Sequence, residues 1–217
     1  MKNLLIKDLR LATLPLSWFF LAASLLTLVP GYPILLGAFF LSLGLFQTFL
    51  NAREVNDVLY TALLPVKKSD VVAARYVLVC FFQLLAFALS AALTVVRMTV
   101  LSGSQVYIDN KLMNASPVFL GFLLLIFTAF NVIFVGGFFR SAYKIGIPFL
   151  FFGIAATVLV FAGEALHFIP GMAYLNAPAG ERLGGQLLFL LACVVVYAAA
   201  TFFSCRASQK CFEKIDL

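Results

Sequence analysis

"PVFLGFLLLIFTAFNVIFVGGFF", residues 117–139, runs for 23 positions without a charged side chain. A helix crossing a bilayer needs about 20 mostly apolar residues, because each adds ~1.5 Å to a path of ~30 Å. The run is long enough. Its apolar residues are continuous and do not alternate with a period of two, which speaks against a β-barrel strand. The stretch reads as one lipid-spanning helix of an all-α membrane protein.

Five further runs on either side have the same character: Leu11–Val29, Pro33–Leu50, Tyr76–Val96, Gly146–Leu166 and Gly184–Phe203. Val29-Pro30-Gly31-Tyr32-Pro33 makes a tight break between the first two. Of 217 residues 64% are hydrophobic and 11% charged, and the mean hydropathy is +1.08. A soluble domain is roughly 45–50% apolar and about 25% charged. No soluble core of this size would absorb 25 Phe. The expectation is a single polytopic transmembrane domain over residues 1–217, with six spans.

Lys and Arg gather on the cytoplasmic side of such proteins. With the N-terminus inside, the inner segments hold Lys2, Lys7, Arg10, Arg53, Lys67, Lys68, Arg75, Arg140, Lys144, Arg206, Lys210 and Lys214. The outer ones hold Arg97, Lys111 and Arg182, a split of 12 to 3 among 15 basic residues. Both termini are therefore expected in the cytoplasm, with residues 204–217 as a cytoplasmic tail. The net charge of +6 reflects this bias, so it implies no nucleic-acid partner. Cleavage of the first run as a signal peptide would break the pattern. For the opening residues MKNLLIKDLR (1–10) two readings stand. They form an interfacial helix with Leu4, Leu5 and Leu9 in lipid and the charges in water, or an unstructured basic flank.

Little here carries chemistry. Cys80, Cys193, Cys205 and Cys211 form no C-x-x-C pair, so neither a disulfide frame nor a zinc site follows. His167 is the one histidine, which leaves no H-E-x-x-H motif, and no G-x-x-x-x-G-K-[ST] loop holds a nucleotide phosphate. Glu164 and His167 stand three apart and can share a helical face, at a span end where polar residues are ordinary. Asn114-Ala115-Ser116 fits a glycosylation sequon, but Pro117 follows it and the match reads as accidental. Ion-coupled carriers keep ionisable groups deep in their spans. The span interiors here offer Gln47, Gln83 and Asn131, which interhelical hydrogen bonding accounts for. Gly136-Gly137 and Gly184-Gly185 read as close-packing or break positions. No catalytic residue, cofactor site or metal site is visible, and the chain shows no energy source of its own.

One segment on the inner side stands out, "NDVLYTALLPVKKSDVVAARY", residues 56–76, between the second and third spans. Asn56 or Asp57 can cap a short helix. Val58, Leu59, Ala62 and Leu63 then fall on one apolar face. Pro65 ends the helix and disfavours helix at Leu64. Val66-Lys67-Lys68 forms a basic turn, Ser69 can cap the third span, and Asp70 suits the positive end of its dipole. About eight helical residues are marginal in water, so the apolar face must rest on a membrane, on the bundle or on another protein.

This segment resembles that of the ABC-2 type transporter permeases, and most closely the small subgroup that includes the exporters of phenol-soluble modulins. There an acidic–x–x–Tyr–x–x–Leu-Pro-Val motif, then basic residues and an Arg/Lys-Tyr pair, links spans two and three. Asp57, Tyr60, Leu64, Pro65, Val66, Lys67, Lys68, Arg75 and Tyr76 match it, over about twenty residues, and the six-span plan with both ends inside agrees. The outer loops are short and no ATPase domain is fused. The resemblance implies that residues 56–70 form a coupling helix docking on a separate nucleotide-binding ATPase subunit, through Asp57, Val58, Leu59, Tyr60, Ala62, Leu63, Leu64, Pro65, Lys67 and Lys68. It also implies a second permease subunit, ATP and Mg on the partner, a bacterial-type cytoplasmic membrane, and export of an amphipathic peptide or lipophilic compound. The competing readings are an energy-independent scaffold or channel-like subunit and an ion-coupled carrier.

Overall fold

The computed structural model describes residues 6–8, 15–57, 60, 66–108, 110, 112–141, 144–166, 168–169, 175 and 183–214, with Leu16 as backbone only. Every regular element among them is helical. In chain order they are α1 (Pro15–Phe19), which continues as a 3₁₀-helix (Phe20–Leu28), α2 (Leu36–Glu54), α3 (Lys68–Thr99) and the short α4 (Gln105–Ile108). There follow α5 (Pro117–Ala129), a π-helix (Phe130–Val135), α6 (Gly136–Arg140), α7 (Gly146–Ala165) and α8 (Leu183–Glu213). Four of these rods are long and apolar enough to cross a membrane: Lys68–Thr99, Pro117–Arg140, Gly146–Ala165 and Leu183–Glu213. The first two expected spans correspond to shorter or more polar helices. α2 closes on Gln47, Asn51, Arg53 and Glu54.

The first of these helices gains length from its winding. A 3₁₀-helix rises ~2.0 Å per residue against ~1.5 Å in an α-helix, so Pro15–Leu28 reaches about 25 Å. Small residues press it against α2. A Cβ on Gly37 would come within 2.9 Å of the Ala23 carbonyl oxygen, and one on Gly44 within 2.7 Å of the Phe20 ring. Ser17 Oγ donates to the Gly44 carbonyl at 3.1 Å. Such small-residue contacts are how helices associate where no hydrophobic force acts between them.

Pro117–Arg140 forms the centre of the bundle. In its most apolar window 78% of residues are buried, against 33% or fewer in the other three rods. Ser116 caps it by accepting from Phe119 N–H at 3.4 Å, with Pro117 in the first turn. The sequon serine is thus buried as a helix cap, and Asn114 is buried beside it. Around this rod α8 packs along α5 and α3, and α7 lies against α5 and the π-helix. Phe49, Phe134 and Phe138 meet edge to face with centroids 5.1–5.3 Å apart. The opposite faces of α7 and α8 are apolar and open, as at Leu150, Phe151, Val158, Leu188 and Leu191. A bilayer gives those side chains their solvent.

A polar seam joins the centre to its neighbours. Gln83 and Asn131 exchange two amide hydrogen bonds at 2.9 Å. Asn131 also donates to Thr201 at 3.0 Å, and Tyr197 Oη–H donates to Gln83 at 2.9 Å. One turn further in, Tyr76 Oη lies 2.9 Å from Ser204 Oγ and 3.1 Å from Ser208 Oγ. Gly136 leaves room for this: a Cβ there would come within 2.9 Å of Ser204 Oγ. Gln83 and Asn131 therefore act as interhelical glue, as expected of them. Gly184, in the first turn of α8, has open space around it.

Several helix ends differ from the sequence expectation. The third span begins at Lys68, eight residues before Tyr76, and its cap position falls on Lys67 without a side-chain cap bond. Ser69 lies inside the first turn. Residues 204–213 of the expected tail continue α8, with Ser204, Ser208 and Phe212 buried.

Candidate functional site

At the end of the bundle where α2 stops and α3 starts, four charged side chains converge. α2 ends in a turn at Val55 and Asn56, whose N–H groups donate to the Asn51 carbonyl at 3.0 Å and the Arg53 carbonyl at 3.1 Å. Asn56 has φ +51°, a left-handed conformation that Asn tolerates better than most residues. This reverses the chain and brings Asp57 over the side of α3. Tyr60 N–H donates to the Asn56 carbonyl at 3.0 Å, and the Tyr60 side chain is 67% exposed.

Asp57 reaches two cations. One carboxylate oxygen accepts a short hydrogen bond from Arg75 Nη2, and the other lies 2.7 Å from Lys7 Nζ. Asp8 closes the cluster, 3.5 Å from Arg75 Nε and 3.6 Å from Lys7 Nζ. Two acids face two bases. The Arg75 side chain is only 2% exposed, and its Nη1 is buried without a hydrogen-bond partner among the described residues. Burial pushes the Asp8 carboxyl above the ordinary aspartate range, against the lowering pull of Arg75 and then Lys7. A guanidinium this deep is retained because carboxylates surround it. Removing one of them from a buried pair typically costs about 3–5 kcal/mol.

The cluster ties together three pieces of chain far apart in sequence: the helical residues 6–8, the α2–α3 connection and α3 itself. α8 joins them a few residues away, where Gln209 Nε2 donates to the Ser69 carbonyl at 3.1 Å. Of the sequence-predicted residues, Asp57 lies in the cluster, Tyr60 beside it at the surface, and Lys67 and Lys68 at the first turn of α3. Val58, Leu59, Ala62, Leu63, Leu64 and Pro65 lie outside the described residues, as do Leu4, Leu5 and Leu9. The expectation that the charges of the first ten residues stand in water is corrected at Asp8, which is buried against Arg75. Arg75 entered the sequence reading only as a motif match and an inner cation, and Lys7 and Asp8 are the cluster members that it passed over as site residues. The signal was present: Asp8 is the one acid in a basic decapeptide, and Arg75 directly abuts an apolar run.

The far end of α3 is held in a comparable way. Arg97, buried, donates from Nη1 to the Thr27 carbonyl at 2.7 Å and from Nη2 to Asn114 at 3.4 Å. Its guanidinium lies 4.4 Å from the centroid of the Tyr107 ring, and Tyr107 Oη–H donates to the Leu28 carbonyl at 2.8 Å. These bonds satisfy carbonyls that the end of the 3₁₀-helix leaves without intrahelical partners. At that same end Glu164 Oε2 accepts from Met113 N–H at 2.7 Å, while His167 lies outside the described residues.

A family model described as ABC-2 family transporter protein matches residues 3–212. No curated protein and no solved structure matches the chain.

Proposed function

The chain belongs to the ABC-2 transporter family, and from that premise we propose that it is the membrane-spanning permease subunit of an ATP-driven exporter in a bacterial-type cytoplasmic membrane. A separate nucleotide-binding ATPase subunit, carrying ATP and Mg, supplies the hydrolysis, and a second permease subunit completes the path. Both chain ends lie on the ATPase side of a six-span fold. Residues 56–70 act as the coupling helix, with the apolar positions Val58, Leu59, Ala62 and Leu63 filling a groove on the ATPase and Lys67 and Lys68 orienting the dock. The cargo is an amphipathic peptide or lipophilic compound, the class that the likeness to phenol-soluble-modulin exporters implies.

The observation that carries this reading is the Asp57–Arg75 pair. A docking segment transmits force only if it is fastened to the spans it moves. Asp57 fastens the connection directly to α3, a 32-residue rod about 48 Å long. Arg97 holds the opposite end of that rod to the first helix. Tilting of the segment by a closing ATPase dimer would reach both ends of the bundle through α3.

The test is assembly. Leu63→Asp introduces an unpaired carboxylate into an apolar protein–protein groove, at a cost of several kcal/mol, and about 1.4 kcal/mol already weakens binding tenfold. The variant is expected to insert and purify, yet to lose co-purification with its ATPase and cargo-stimulated ATP hydrolysis. Retention of both overturns the coupling-helix assignment.

A further inference from the structure

Where the 3₁₀-helix, α2, α3 and α5 meet, the packing leaves a cavity of about 10 Å³. That is the least space that one water needs, roughly 10–15 Å³. Small residues open it: Gly37 and Ala38 on α2 and Ala86 on α3. Three residues with hydroxyl groups also line it, Ser24 and Thr27 from the 3₁₀-helix and Ser90 from α3.

Elsewhere in the bundle a helical hydroxyl settles on the carbonyl four residues back. Ser42 donates to Ala38 at 2.9 Å, Thr94 to Ser90 at 2.7 Å and Thr128 to Leu124 at 2.8 Å. Ser24, Thr27 and Ser90 do not follow them. Among the described residues their hydroxyls have no hydrogen-bond partner. Thr27 and Ser90 are each only 1% exposed, yet their hydroxyl oxygens are not sealed inside the packing as Glu164 Oε1 is. The little surface that they keep therefore faces the cavity they line. A hydroxyl left unbonded in an apolar medium is costly, and buried polar groups in native proteins are almost always satisfied. Two such groups aimed at one small void call for a shared partner.

We infer that the cavity is a binding site for a single water, which bonds to Thr27, Ser90 and Ser24 and so ties the 3₁₀-helix to α3. A hydroxyl both donates and accepts, and a buried water typically makes about three hydrogen bonds, so three hydroxyls match one water. The ligand is neutral. None of the described lining residues is an acid, and the Arg97 guanidinium donates to the Thr27 carbonyl at 2.7 Å. A fixed positive charge beside the site disfavours a cation, and nothing larger than a water has room. Arg97 lies two turns beyond Ser90 on α3. The first helix is thus held to α3 twice, by a guanidinium at its end and by a water at the cavity. This site requires no ATPase and stands apart from the transport reading.

The experiment uses the full chain, carrying carbon-13 serine, in phosphatidylcholine nanodiscs. Water-edited solid-state NMR reads how fast magnetisation passes from water to each serine Cβ. The Ser90 and Ser42 signals are assigned by their loss in Ser90→Ala and Ser42→Ala. Ser42 is the control, as deeply buried but bonded to its own helix. Ser90 Cβ is expected to build up several-fold faster than Ser42 Cβ, and equal build-up overturns the site. Ser90→Ala also tells a wet cavity from a dry one by the sign of its effect on reversible unfolding in bicelles. With a water bonded to Ser90, losing the hydroxyl lowers the folded-to-unfolded ratio roughly fivefold, the worth of about one net hydrogen bond. In a dry cavity the substitution removes an orphan polar group and leaves the ratio unchanged or raised. Either of those results overturns the site.

Discussion

Asp57→Asn is the most direct probe of the charge cluster. The substitution keeps the shape of the side chain and removes the charge that Arg75 Nη2 and Lys7 Nζ share. Breaking a fully buried pair costs about 3–5 kcal/mol. Here Asp8 remains 3.5 Å from Arg75 Nε, and the Asp57 side chain is 19% exposed. The expected loss is therefore smaller, about 2 kcal/mol, within the ~1.5–3 kcal/mol range of a hydrogen bond to a charged group. The assay is reversible unfolding in bicelles for four proteins: wild type, Asp57→Asn, Arg75→Gln and the double variant. Once Arg75 is gone, the Asp57 carboxylate has lost its main partner. The double variant should then be less destabilised than the sum of the singles by about 1–2 kcal/mol, in the range found for residues in contact. If Asp57 only capped the following turn, its loss would cost ~1 kcal/mol and show no coupling to Arg75. Additivity within ~0.5 kcal/mol refutes the fastening of the connection to α3.

Asp8 gives the cluster a pH dependence of defined sign. Its folded-state carboxyl titrates above the ordinary aspartate value of 3.8, so the folded protein holds that proton more tightly than the unfolded chain does. Relative to Asp8→Asn, wild type should lose stability as the pH rises from about 3.8 through the raised value, and unfolding titrations at stepped pH would show a slope of the opposite sign if burial did not dominate. In the polar seam, Gly136→Val sets a branched side chain where a single Cβ already lies 2.9 Å from Ser204 Oγ. It should lower stability by about 1–3 kcal/mol, whereas Gly184→Ala, with open space around it, should stay within about 0.5 kcal/mol of wild type in the same melts.

Hydropathy located the rods because lipid tolerates no unsatisfied backbone, and each crossing must be a continuous apolar helix. It located their ends poorly. α3 begins at Lys68 and α8 runs to Glu213, because backbone hydrogen bonding continues past the point where the side chains turn polar. The motif Asp57…Arg75-Tyr76 was legible as a pattern, but its physical content was not. Counting Arg75 as one more inner cation hid the fact that it is buried between two acids, Asp57 and Asp8, which lie 18 and 67 residues before it in the chain. Contacts across such separations leave no periodic trace.

The central position of Pro117–Arg140 bears on how this sequence tolerates change. The most apolar rod is the one least in contact with lipid, so its hydrophobicity serves shape, and shape is unforgiving. A scan of all substitutions should show Gly121, Gly137 and Phe134 admitting almost no replacement, since Phe189 and Pro148 crowd the two glycines and Phe134 is fully buried among rings. Leu150, Val158 and Leu188, which face outward, should exchange freely among Leu, Ile, Val and Phe. Relatives of this chain would then drift fastest along the surfaces that look most like generic membrane helix, and the recognisable part of the sequence would be its interior.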